Sequence, residues 1–72
     1  NSLLDGGRSL IAKKLIEESG ELAVAYLDDN PTSSDIIWEA SDLIYHMLVL
    51  LKSSDLGLNE ISSELANRHK DK

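Results

Sequence analysis

Five acidic residues stand in two short clusters. Glu17, Glu18 and Glu21 form the first, and Glu39 and Asp42 the second. Glu18 and Glu21 are three apart, as are Glu39 and Asp42, so on a helix each pair stacks on one side. Carboxylates brought together from two elements repel one another and raise each other's pKa. A hard divalent cation removes that penalty, and oxygen ligands alone suit magnesium, manganese or calcium. The sequence contains no cysteine, which excludes both a thiolate metal site and a disulfide.

The elements that must position these residues read as three helices. The first is expected over residues 8–27, with Ile11, Leu15, Leu22 and Ala25 at helical spacing. Glu18 falls in the middle of that apolar stripe, Glu21 lies about 60° to one side, and Glu17 is further round the same edge. Asp28-Asp29-Asn30-Pro31 ends the helix, because proline cannot continue the hydrogen-bond ladder and restricts its predecessor. A second helix is expected from about Thr32–Ser34 to Leu51 or Lys52, with Thr32 and Asp35 at capping-box spacing. It is apolar round more than half its circumference, while Glu39, Asp42 and His46 share one narrow arc. Such a helix should be buried on most sides, with its acidic arc facing another element. A third helix is expected over 58–69, with Leu58, Ile61 and Leu65 on one face. Asn1 to Gly7 reads as a lead-in. The predicted fold is all-α, antiparallel helices forming a bundle.

The short connection makes the first two helices antiparallel neighbours, so both acidic pairs can share one gap. The alternative is that they are solvated faces of a small bundle. His46 fits either a hydrogen-bond partner of Asp42 or a buried histidine better than a magnesium ligand. Trp38 and Tyr45 read as packing or interface residues. Lys14 points near the Glu18 and Glu21 side, where it reaches a substrate phosphate or pairs with Glu18. Arg8, Arg68 and Lys70 have only their charge to suggest phosphate contact.

The chain is 72 residues long, enough for one domain. A core of that size supplies little stability, and with no cysteine available, partner subunits become the leading source of extra burial. The net charge of −6 argues against a nucleic-acid surface, which needs clustered Lys and Arg. The longest apolar run, Leu43 to Leu51, is too short and too polar to span a membrane. No signal peptide is visible, so the cytoplasm is the expected location. Asn1 is not an initiator methionine, and the true start is expected to lie upstream.

Together these residues spell Glu17-Glu18-Ser19-Gly20-Glu21 and Glu39-Ala40-Ser41-Asp42. The pattern resembles the paired E-E-x-x-E and E-x-x-D motifs of the MazG-like all-alpha nucleotide pyrophosphohydrolases. Lys13-Lys14-Leu15-Ile16 before the first motif, and Asp42-Leu43-Ile44-Tyr45-His46 in the second, look like the phosphoribosyl-ATP pyrophosphatase branch. Glu64-Leu65 followed by Arg68-His69 resembles the ending of that branch. The resemblance implies that Glu18, Glu21, Glu39 and Asp42 bind magnesium. It places Glu17 beside the site to orient or activate water, and Lys14 near the phosphates. Glu17 and Glu18 are the residues read as catalytic. The resemblance further implies a small-molecule nucleotide substrate, a homodimer whose bundle forms from both subunits, and hydrolysis of phosphoribosyl-ATP to phosphoribosyl-AMP and pyrophosphate. Another nucleoside triphosphate as substrate, or a non-enzymatic dimerisation module, are the competing readings. Two departures stand out. The helix and the Ser-Tyr-Thr stretch that usually precede this region in the branch are not in the sequence, and Ile16 takes a position that is commonly small.

Overall fold

The computed structural model describes residues 6–70, so residues 1–5 of the lead-in lie outside the description. It contains three helices and no strand among the described residues: α1 is Gly7–Leu27, α2 is Ser33–Ser53 and α3 is Leu58–His69. Gly7 has a φ of +78°, a left-handed conformation that glycine takes without a steric cost.

α1 ends where its sequence stops favouring a helix. The Asp28 side chain accepts a hydrogen bond from the Asn30 backbone N–H at 2.9 Å, and Pro31 follows. α2 then begins on a sequence-encoded cap: Thr32 Oγ1 accepts from the Asp35 N–H at 3.1 Å. Asp35 in the first turn and Lys52 in the last both complement the helix dipole. α2 closes on a left-handed residue, Asp55, with a φ of 61°. The Leu56 N–H bonds to Leu51 O at 2.8 Å and the Asp55 N–H to Lys52 O at 3.0 Å. This is the bonding of a Schellman motif. α3 starts at Gly57, whose N–H donates to Glu60 Oε1 at 2.8 Å.

α1 and α2 form an antiparallel hairpin, the one helix pair here that packs along its length. The start of α1 and the end of α2 line one cleft together, and the end of α1 and the start of α2 line another. Ile11 and Leu51, only 4% and 6% exposed, are the buried residues among those described. Leu15, Leu22, Ile36, Leu43, Met47 and Leu50 fill the rest of the seam half-buried.

The expectation that α2 is buried on most sides is not met within one chain. Ile37, Ile44, Tyr45 and Leu48 are exposed, and Trp38 is 68% exposed. Only α1 packs extensively on α2, so one face is covered and the others are not. The molecule measures 41 × 38 × 16 Å, with a radius of gyration of 14.5 Å. A compact chain of this length has about 11 Å. Helical domains need two packed layers round a core, and this chain is close to a single layer.

Candidate metal centre

Packing along the hairpin seam places the carboxylates. Leu15 and Leu22 flank Glu18 on the side of α1 that meets α2, so Glu18 is carried toward the seam. Glu21 follows one turn later. On α2, Ile36, Ala40 and Leu43 pack toward α1 and bring Glu39 alongside. Carboxylate oxygens of Glu18, Glu21 and Glu39 consequently lie within 4.8 Å of one another. Glu18 and Glu39 are half-buried, and Glu21 is exposed.

Their environment suits a cation. One oxygen of Glu18 and one of Glu39 are shielded from solvent with no hydrogen-bond partner. An acceptor left in that state costs its full desolvation penalty. The Glu39 pKa is raised above the ordinary 4.5, first by desolvation and then by the charges of Glu21 and Asp42. Hydrogen bonding with Glu21 and the charge of Glu18 add to the rise. Both features describe negative oxygens with nothing positive between them. An all-oxygen donor set with two unpartnered acceptors fits a hard divalent ion such as magnesium.

The remaining sequence candidates divide. Asp42 is half-buried and close enough to act on Glu39, yet stands outside the group of three. It is one turn along α2 from Glu39, and its side chain is a methylene shorter. Glu17 is exposed and lines the same cleft as Glu21 and Glu39. Lys14 Nζ sits 3.6 Å from Glu17 Oε1, so this lysine pairs with Glu17 and not with Glu18. His46 Nδ1 is 2.8 Å from the backbone oxygen of Asp42, so its partner is that main-chain carbonyl. Tyr45 meets the His46 ring edge-on at 5.1 Å. Arg8 lines the cleft at the opposite end of the hairpin with Ser53 and Ser54, away from the carboxylates. Arg68 pairs with Glu64 at 2.9 Å on α3.

The cleft that Glu17, Glu21 and Glu39 line is about 630 Å³ and is also lined by Gly20, Val24, Ala25 and Asp35, with Glu18 outside its wall. That is within the size of small-molecule sites. Sequence reasoning missed Gly20, Val24 and Asp35 as lining residues. The capping pattern explained Asp35 completely at the level of local structure, so nothing singled it out.

Comparison with known proteins follows the same direction. The sequence profile described as phosphoribosyl-ATP pyrophosphohydrolase matches residues 1–69. A histidine biosynthesis bifunctional protein HisIE from Caldanaerobacter subterraneus is 41% identical over 97% of this chain and 33% of its own length. A phosphoribosyl-ATP pyrophosphatase from Neisseria meningitidis is 42% identical over 92% of this chain and 60% of its own. One from Pyrobaculum islandicum is 44% identical over 92% of this chain and 68% of its own. The chain thus spans from a third to about two thirds of these relatives. No solved structure matches it.

Proposed function

The chain belongs to the phosphoribosyl-ATP pyrophosphohydrolase family, and on that premise we propose that it hydrolyses phosphoribosyl-ATP to phosphoribosyl-AMP and pyrophosphate. This is the second step of histidine biosynthesis, and the proposed location is the cytoplasm. Among the described residues no helix is long and apolar enough to cross a membrane. The observation that carries the reading is the convergence of Glu18, Glu21 and Glu39, with two of their oxygens shielded and unpartnered.

In this reading Glu18, Glu21 and Glu39 hold magnesium, with Asp42 completing the set. The bound ion supplies neutralisation of charge on the phosphate oxygens and acidifies water. The chain's own groups do the rest. Glu17 lies on the cleft wall outside the group of three, and in this reading it takes the proton from an attacking water. Oxygen from that water bonds to a phosphorus of the triphosphate chain, the bridging P–O bond breaks, and pyrophosphate leaves. Lys14 pairs with Glu17, which lines this cleft. Its exposed pairing with Glu17 is weak enough to be exchanged for a substrate phosphate, which also releases the Glu17 carboxylate.

We also propose that the chain works as a homodimer, because an apolar α2 covered by a single helix leaves its fold one layer short. The test of activity is pyrophosphate release from phosphoribosyl-ATP, dUTP and dCTP, side by side, with and without magnesium. Magnesium-dependent turnover of phosphoribosyl-ATP in preference to both deoxynucleotides is expected. Preference for a deoxynucleotide would replace the assigned substrate, and no turnover of any would leave a dimerisation module as the better account.

A further inference from the structure

The cleft along Glu21 and Glu39 has two unlike ends. Away from the α1–α2 turn, Lys14 pairs with Glu17 on the cleft wall. Toward the turn the α1 wall is apolar, made by Val24 and Ala25, and Val24 is 71% exposed. Gly20 lines the stretch between these ends. Glycine inside a helix is unfavourable. Yet a Cβ at Gly20 would meet nothing within 4 Å among the described residues, so no packing there accounts for the glycine. Its effect is to leave the cleft wall low beside the carboxylates.

Asp35 lines the turn end from α2. It lies four residues before Glu39 on the same side of the helix, about 6 Å nearer the turn. The α2 cap uses its backbone N–H, bonded to Thr32 Oγ1, and leaves its carboxylate for other partners. A carboxylate repels a polyphosphate but accepts strongly from hydroxyl groups. A triphosphate held at the metal group therefore runs toward Lys14. Its sugar and base fall to the turn end, where an apolar wall and an acceptor meet them.

We propose that this turn end holds the nucleoside. The ribose that carries the triphosphate rests against Gly20 and Val24 and donates its 2′ and 3′ hydroxyls to Asp35. Acid-to-ribose contacts of this kind serve the same purpose in dinucleotide-binding folds. Asp35 is then a specificity-determining residue that favours ribose over deoxyribose. The inference rests on the activity proposed above, and adds the direction in which the substrate lies.

ATP and 2′,3′-dideoxy-ATP differ only in those hydroxyls, so calorimetric titration of both with magnesium present tests the contact. The unmodified chain should bind ATP about tenfold more tightly than the dideoxy form, and Asp35→Ala should bind the two alike. The same variant should raise KM for phosphoribosyl-ATP about tenfold, with kcat little changed. The sign decides between two roles. A bystander carboxylate only repels the polyphosphate, so its removal would lower KM. A KM that falls or stays level would overturn the proposal. So would a preference for ATP that survives in Asp35→Ala or is missing from the unmodified chain. Thr32→Ala removes the α2 cap and keeps the Asp35 carboxylate, so its KM should not move. An equal rise there would assign the effect to the helix start and overturn the contact. A chain that prefers ATP yet turns over no nucleotide would lose the proposed reaction and keep the subsite. One that binds neither nucleotide would lose both.

Discussion

At Glu39, burial and the charges of Glu21 and Asp42 hold the carboxyl group's pKa above the ordinary value of 4.5. The folded state therefore binds this proton more tightly than the unfolded state does. The stabilisation this gives is fully present below the unfolded value, and is lost as pH rises through the raised one. Magnesium held at the proposed site would compete with the same proton, so its effect would run the other way. The thermal stabilisation produced by magnesium should be negligible at pH 4 and reach its full size above pH 7, as melting curves with and without the ion would record. Much of this site was legible in the sequence. Glu18, placed between Leu15 and Leu22, had to meet whatever those leucines meet, and Glu39 sits likewise on the edge of a packed face. The placing of Asp42 was not legible, because spacing counts turns and does not register the shorter reach of an aspartate. Nor could it show that His46 uses its ring nitrogen on the Asp42 main chain, or that Lys14 takes Glu17 as its partner.

The helices themselves follow closely from local signals. Pro31 and the Thr32 cap set the α1–α2 turn. The third helix spans 58–69 as its apolar spacing indicated, and α1 and α2 differ from expectation by only a residue or two at their ends. The α2–α3 turn is where local rules were uninformative. Glycine is the usual left-handed residue of a Schellman motif, and the sequence has Asp55 there with Gly57 two positions later. Asp55→Gly should relieve the left-handed strain and stabilise the chain by about 0.5–1 kcal/mol. Chemical denaturation would measure this as a higher midpoint at unchanged slope, and a lower midpoint would show that the aspartate side chain contributes something the backbone argument omits.

For the whole molecule, the sequence signalled a shortage of burial without showing its form. Ile37, Ile44 and Leu48 read as core by residue type and Trp38 as a packing or interface residue, and all four are exposed in a single chain. Periodicity identifies an apolar face but does not say which chain supplies the cover. Melting temperature should therefore rise with protein concentration, since folding and association are then one equilibrium. A melting temperature independent of concentration from 1 to 100 μM, a window of about 2.7 kcal/mol in association free energy, would indicate a monomer that is stable despite its open faces.

The central claim is that Glu18, Glu21 and Glu39 form one cation site. Calorimetric titration of magnesium at pH 7.5 into the unmodified chain and into Glu39→Gln tests it most directly, with circular dichroism establishing that both are folded. Saturable binding to the first and at least a 100-fold weaker response from the second is the predicted result. Equal binding by the two proteins, or none by the unmodified chain, would contradict it.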